Sequence, residues 1–180
     1  NNVYKKDYEP YLALGPQCGI FDQRAAEYLN HFIDALGIDA IQFGGTLAWL
    51  MELFHTGVLS PQDFGLPPAS EMRLDFASRS QNFDLVRDSW RNAKYAQKIA
   101  SLILFEKPGE IFRSGIRPAA KLLDERHHLS EPGQRMIDKA VFVAHGLHGN
   151  LTPNQYWVPG MLAPMPIMGK YFVYYGFDYQ

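Results

Sequence analysis

Residues 22–57 read DQRAAEYLNHFIDALGIDAIQFGGTLAWLMELFHTG, and this stretch predicts two helices joined by a tight acidic turn. Asp22 and Asp39 are each placed to cap a helix, because a carboxylate accepts hydrogen bonds from the first free backbone N–H groups. Apolar residues recur at helical spacing after each of them. Gly37 and Gly57 stand where glycines end helices. The stretch therefore predicts a mainly α-helical fold.

Two features of this stretch have more than one interpretation. Gly44 and Gly45 lie inside the second helix, where each costs roughly 1 kcal/mol relative to alanine. The missing side chains would let either a crossing helix or a ligand approach the backbone. Asp34 and Asp39 flank the turn beside a helix N-terminus, where carboxylates are favoured and polar ligands are often held. They are therefore either ordinary capping residues or ligand contacts.

The composition indicates a globular chain of ordinary domain size. Of 180 residues, 47% are hydrophobic and 20% are charged, and the net charge of −2 gives no support to a nucleic-acid partner. No apolar run approaches the roughly 20 residues that a membrane-spanning helix needs. The single cysteine, Cys18, excludes an internal disulfide and is compatible with a reducing cytoplasm.

Three segments, in this order, resemble the tungsten-dependent aldehyde:ferredoxin oxidoreductase family. Tyr8-Glu9 matches a Y-E pair shortly before A-L-G. The turn from Asp34 to Asp39 matches D-x-x-G-[IL]-D and is followed by a glycine-containing segment and AWLMEL. Residues 108–120, PGEIFRSGIRPAA, are similar to the G-[DE]-x-[LF]-x-x-G-x-R-x-A-A helix of the family. The resemblance covers about residues 4–123.

The resemblance implies helical domains of the aldehyde ferredoxin oxidoreductase type, with long loops rich in Pro, Gly, Met and aromatic residues. It also implies tungsten held by two pterins. The positions that it assigns to cofactor binding are Asp34, Gly37, Asp39, Gly44 and Gly45. Glu9 would lie beside the metal as an acid/base group, which requires burial and a raised pKa, and Tyr8 would assist it.

The family also holds a [4Fe–4S] cluster, for which several cysteine thiolates are needed. Its cysteine motifs, C-x-x-C-x-x-x-C and a late D-x-x-G-x-C, are missing here. Cys18 matches a loop position of the family and not a cluster ligand. We therefore expect the chain to be an interior piece of a longer polypeptide that supplies the cluster ligands elsewhere.

Family members can carry E-x-x-H on the first helix, where it binds a metal that bridges two subunits. This chain has Tyr28-Leu-Asn-His31 there, with Glu27 one position away. Glu27 and His31 share a helix face as an i, i+4 pair, but the geometry is changed, so we expect no bridging metal. Glu52 and His55 also spell E-x-x-H, which at an exposed helix end is a weak signal. We predict no metal ligands in the chain.

The remaining segments are predicted from turn residues and periodicity. Residues 1–21 are expected to form an ordered loop, since Pro10 biases Glu9 away from helix. A turn-rich surface excursion over 58–82, with one short helix, precedes a long helix from Asp84 to about Leu104 with Leu85 among its core positions.

Further along the chain, Pro108-Gly109 is expected to end the long helix. Pro118 is expected to divide the segment from Glu110 to Arg126, and residues 124–128 to form a solvated helix end. A last helix is predicted from Pro132 to Ala144.

The last 36 residues change character. His145 and His148 lie in glycine-rich sequence, and either is a candidate active-site histidine. The segment after these histidines contains prolines at positions 153, 159, 164 and 166, which exclude a regular helix there. The many Met and aromatic residues suit either an apolar pocket or an interface. The segment HGNLTPNQYWVPGMLAPMPIMGKY is similar to the catalytic subunit of class II, ATP-independent benzoyl-CoA reductases.

This second similarity implies reductive dearomatisation of benzoyl-CoA to a cyclic dienoyl-CoA, with Glu9 and a tail histidine handling protons. Two alternatives remain: oxidation of aldehydes to carboxylic acids, and a metal-free helical interaction module. The implied partners are an iron–sulfur electron-transfer subunit or ferredoxin, within an oligomer. Residues 1–130 would belong to the helical middle domain, and residues 131–180 would begin the C-terminal domain.

Overall fold

The computed structural model describes residues 8–74 and 82–139, and within these ranges the chain contains no strand. Its α-helices are α1 (Tyr8–Ala13), α2 (Gln23–Ala35), α3 (Ala40–His55), α4 (Leu85–Phe105) and α5 (Ile116–His127). Short 3-10 helices cover Pro16–Cys18, Pro61–Phe64, Ala69–Glu71, Lys107–Phe112 and Met136–Lys139. The predicted mainly α-helical class is confirmed. None of these helices is long and apolar enough to cross a membrane.

The acidic turn between α2 and α3 forms as the sequence predicts. Asp22 caps α2 by accepting from the backbone N–H of Ala25 at 3.0 Å, and Asp39 caps α3 by accepting from that of Gln42 at 2.7 Å. Gly37 adopts a left-handed conformation, with φ of 69°, directly after the C-cap of α2. Local capping chemistry therefore fixes where both helices begin.

Helix α4 lies at the centre of the packing, against α2, α3 and the 3-10 helix Lys107–Phe112. The largest fully buried side chains include Trp49 of α3 and Tyr95 of α4. Each places its polar atom on a backbone carbonyl: Trp49 Nε1 donates to Met136 O at 3.0 Å, and the Tyr95 hydroxyl donates to Pro67 O at 2.6 Å. These bonds fasten two loop segments onto the apolar core.

One face of α4 is buried and polar, which the sequence did not predict. The Ser89 hydroxyl accepts from the backbone N–H groups of Phe21 and Asp22, at 2.8 and 3.0 Å. The Asn92 amide donates to Gly19 O at 2.8 Å and makes two bonds to the backbone of Arg73. The loops around residues 20 and 73 are thereby held onto α4.

The predicted loop over residues 1–21 is wrong for the described part, because Tyr8–Ala13 is helical. Pro10 is the third residue of α1, so its missing N–H belongs to the first turn, where no helical partner would be available anyway. The preference of Glu9 for an extended backbone is overridden at this position. The excursion after α3 holds two short 3-10 helices up to Leu74 where one short helix was expected.

Three further expectations are corrected. Leu85 is 55% exposed, because it is the first residue of α4 and projects past the edge of the core. Pro118 does not divide the segment after Pro108; it is the third residue of α5, and the break lies before Gly115. The last predicted helix is replaced, in its described part, by turns and the 3-10 helix Met136–Lys139.

Candidate functional site

The crossing of α1 and α3 is built on Gly44. A Cβ atom at Gly44 would lie 2.6 Å from the carbonyl carbon and oxygen of Ala13, closer than real Cβ contacts. Gly44 is therefore required for the close approach of α1, as the crossing-helix interpretation holds. Gly45 is also buried. The proposed cofactor contacts of both glycines stay predictions.

Cys18 seals the same crossing. Its Sγ lies 3.4 Å from Ala13 O and 3.7 Å from Gly44 O, so the thiol points at carbonyls of both helices. Complete burial raises the pKa of Cys18 to about 12. Its burial against carbonyls of both helices makes Cys18 a packing residue of this crossing.

The backbone of the predicted acid/base residues is placed by this crossing, since Tyr8 and Glu9 begin α1. Their side chains lie outside what the structure describes, as do His145 and His148. These four catalytic assignments stay predictions.

On the same helix, Tyr11 has its hydroxyl buried with no hydrogen-bond partner among the described residues. Burial and the negative charge of Glu27 raise the pKa of Tyr11.

The acidic turn presents its polar groups outward. Asp34, Gly37 and Asp39 are all exposed. Within the described ranges, one carboxylate oxygen of Asp39 is engaged, in the cap of α3, and the other accepts no hydrogen bond. No atom of the described residues lies within 4 Å of the position that a Cβ would take at Gly37.

A cleft of about 470 Å³ runs beside this turn, and we call it the α3–α5 cleft. One wall is the beginning of α3, the second is the end of α4, and the third is the turn that starts α5. Its lining residues are Ile38, Asp39, Gln42, Phe43, Thr46, Ile103, Leu104, Phe112, Arg113, Ser114 and Gly115. Two of the three family-like segments thus meet here, although they are about 70 residues apart in the chain.

Arg113 is the cationic residue of this cleft, and sequence reasoning missed it. Its Nε donates to Ile103 O at 2.7 Å and its Nη2 donates to Glu106 O at 3.2 Å, so the guanidinium is fixed at the end of α4. Arginine near free carbonyls of a helix end is a common capping device. The position of the Arg113 guanidinium depends on its contacts with the end of α4, which the sequence pattern does not show.

Metal-ligand geometry is not found in the described ranges, where no group of three His, Cys, Asp or Glu residues could hold an ion. Glu27 and His31 are both half-buried on α2, and Glu52 and His55 are exposed on α3.

A second cleft, of about 700 Å³, lies along α5 and the segment after it. Asp124 lines it. Residues 125–128 are exposed at the end of α5, as the solvated helix end predicts, and Asp124 is the exception. Its side chain is buried and accepts from the backbone N–H of Met136 at 2.7 Å. Asp124 therefore anchors the segment that follows α5.

Comparison with known proteins identifies the same family as the three sequence motifs. Residues 2–133 match the family described as aldehyde ferredoxin oxidoreductase, domains 2 & 3. The glyceraldehyde-3-phosphate:ferredoxin oxidoreductase of Pyrococcus furiosus is 38% identical over 95% of this chain and 26% of its own length. An uncharacterised protein of Methanocaldococcus jannaschii is 35% identical over 97% of this chain and 28% of its own.

A tungsten-containing aldehyde ferredoxin oxidoreductase of Pyrococcus horikoshii is 44% identical over 59 residues, which is 33% of this chain and 10% of that protein. No solved structure matches the chain. The chain spans about a quarter of the length of the first two relatives.

Proposed function

The chain belongs to the aldehyde ferredoxin oxidoreductase family, and we propose that it forms part of a tungsten bis-pterin oxidoreductase. The observation that carries the proposal is the family match over residues 2–133, together with the exposed acidic turn beside the α3–α5 cleft. Residues 1–130 would belong to the helical middle domain, and residues 131–180 would begin the C-terminal domain.

The exposed turn fits a pterin in its hydrogen-bonding chemistry. A pterin ring presents N–H donors, and the free carboxylate oxygen of Asp39 and the exposed carboxylate of Asp34 are acceptors. Gly37 keeps the surface between them clear of side chains. Asp34, Gly37 and Asp39 would therefore hold one edge of the ring, and the glycines 44 and 45 would support the helix behind it.

The cofactor, when bound, would supply the redox chemistry at tungsten, while the chain would position groups and move protons. Glu9 would accept or donate the proton at the reacting centre, with Tyr8 beside it and His145 or His148 completing the path. A carboxyl group can do this near neutral pH when burial raises its pKa. The α1–α3 crossing supports this role by fixing the backbone that carries Glu9.

Aldehyde oxidation to a carboxylic acid is the better supported reaction. The relatives include a glyceraldehyde-3-phosphate:ferredoxin oxidoreductase that matches 95% of the chain and a tungsten-containing aldehyde ferredoxin oxidoreductase that matches 33% of it. Ferredoxin would be the electron acceptor, and a [4Fe–4S] cluster held outside this chain would connect it to the tungsten. We further propose an oligomeric, cytoplasmic enzyme.

Reductive dearomatisation of benzoyl-CoA is the second candidate. It is favoured by one observation, the Met- and aromatic-rich segment after His145, whose composition suits a flat apolar ring. An iron–sulfur subunit would then deliver electrons into a water-poor pocket.

Metal analysis of the natively purified protein tests the proposal. Roughly one tungsten with about four or more irons per polypeptide is expected. Absence of tungsten, molybdenum and iron from the intact protein would contradict the proposal and favour a metal-free helical interaction module. Assays with aldehydes and with benzoyl-CoA then separate the two reactions.

A further inference from the structure

We propose that the α3–α5 cleft is a binding site for a phosphomonoester, with Arg113 as the residue that contacts the phosphate. The inference rests on the proposed function for the source of the phosphate, which is either the phosphate arm of the pterin cofactor or the phosphate of a phosphorylated aldehyde. It adds a cation and a second helix to the acidic turn already described.

Arg113 is pre-organised for this task. Two of its five N–H donors are occupied by Ile103 O and Glu106 O, which hold the planar group in place at the cleft wall. The remaining donors have no partner in the part of the chain that the structure describes. A fixed guanidinium with free donors matches the oxygens of a phosphate and loses little side-chain entropy on binding.

The start of α5 lies at the same wall. The N-cap of α5 is Gly115, whose lack of a side chain leaves no carboxylate at this helix end. Gly115 and Ser114 both line the cleft. The positive end of the α5 dipole therefore reinforces the charge of Arg113, whereas α3 already has the Asp39 carboxylate on its own N-terminus.

Asp39 decides which anions fit. Its carboxylate lines the same cleft and would repel a bare phosphate, but its free oxygen favours a ligand that brings a hydrogen-bond donor. The ligand class is thus a phosphomonoester that also carries a hydroxyl or a ring N–H. The apolar residues Phe43 and Phe112 also line the cleft.

Two variants of the native protein test the site from different sides. Arg113→Gln removes the cation. Gln42→Glu places a negative charge in the cleft at the first turn of α3, where a carboxylate favours the fold by its interaction with the helix dipole. Arg91→Gln is the control, because Arg91 makes the same two kinds of backbone bond, to Glu71 O and Ser70 O, away from the cleft. Arg91 also lies 3.7 Å from the Asp88 carboxylate, so thermal unfolding of each variant is measured beside its cofactor content.

The readouts are bound pterin and tungsten per polypeptide, and kcat/KM for a phosphorylated aldehyde and for its unphosphorylated counterpart. If the phosphate is the cofactor's, both cleft variants lose pterin and tungsten, and Arg91→Gln keeps them. If it is the substrate's, cofactor content stays, and KM for the phosphorylated aldehyde alone rises by about tenfold or more, as expected for a lost charged hydrogen bond. Wild-type cofactor content and wild-type kinetics in both cleft variants overturn the proposal.

Failure of the proposed function is distinguished by a third measurement. If the wild-type protein carries no pterin, thermal unfolding is followed with glycerol 3-phosphate, and glycerol serves as the control ligand. Stabilisation by glycerol 3-phosphate that Arg113→Gln and Gln42→Glu both abolish supports the site without any cofactor. Equal stabilisation in wild type and variants, or none in wild type, rejects it.

Discussion

The side-chain amide of Asn92 pairs with the backbone of Arg73 as a second backbone would, accepting from its N–H at 2.7 Å and donating to its carbonyl at 2.7 Å. The same amide also donates to Gly19 O. Asn92 is fully buried, so these loop groups have little access to water. One side chain of α4 therefore satisfies backbone groups from two separate loops.

Asn92→Ala should destabilise the fold by about 2–4 kcal/mol, because it leaves buried backbone donors and acceptors without partners. Urea denaturation measures the loss. Asn82→Ala, at an exposed position, should change the free energy of unfolding by less than about 0.5 kcal/mol. Equal effects of the two changes would contradict the role assigned to Asn92.

Gly44→Ala should also destabilise the protein, by about 1–3 kcal/mol, since the new methyl group meets the backbone of Ala13. The sign of this change in the free energy of unfolding is informative. A glycine inside a helix without a close neighbour would gain up to about 1 kcal/mol on change to alanine. Denaturation curves of Gly44→Ala that show increased stability would therefore exclude the close crossing of α1 and α3.

Asp39→Asn separates capping from cofactor binding. Asparagine caps a helix about as well as aspartate, so we expect a shift in the free energy of unfolding of only a few tenths of a kcal/mol. The variant loses the negatively charged carboxylate oxygen that would accept a hydrogen bond from a pterin N–H. The pterin and tungsten content should therefore fall several-fold. Asp84→Asn, at the cap of α4, is the control and should leave cofactor content unchanged. Unchanged content in both variants would limit Asp39 to capping.

The buried carboxylate of Asp88 gives a pH dependence. A hydrogen bond from Arg87 holds the pKa of Asp88 below its ordinary value of 3.8, and burial opposes this shift. Because the folded-state pKa is lowered, the contribution of ionised Asp88 is complete above the unfolded pKa. It is lost as the pH falls below about 4 through the lower folded value.

Thermal unfolding between pH 3 and pH 7 measures this contribution. Asp88→Asn should reduce the difference in stability between these two limits, whereas Asp63→Asn, at an exposed site, should leave it unchanged. A wild-type profile in Asp88→Asn would show that other carboxylates cause the acid instability.

The predictable part of this fold is the part encoded over a few residues. Asp22, Asp39 and Gly37 act on their own helix ends, so their roles follow from local chemistry. The expectation at Glu9 fails for the same reason. Pro10 biases the residue before it away from helix only locally, and the placement of Pro10 in the first turn of α1 overrides that bias.

Non-local relationships could not be predicted. Arg113 enters the site only because the end of α4 returns to the beginning of α3, and no periodicity records that approach. Asn92 likewise resembles an ordinary helix residue until the loops at Gly19 and Arg73 are placed beside it. Buried polar side chains of this kind are specified by tertiary contacts rather than by sequence pattern.

The contact of Gly44 with Ala13 makes the length of α3 matter. Gly44 follows Asp39 by five residues, which is about 7.5 Å along a helix. The acidic turn and the helix that carries Glu9 are thus spaced by a rigid segment. One residue inserted between Asp39 and Gly44 would rotate the face of α3 that contacts α1 by about 100° relative to the acidic turn. Residues 40–42, which lie between these two fixed positions, should accept substitutions far more readily than any insertion or deletion.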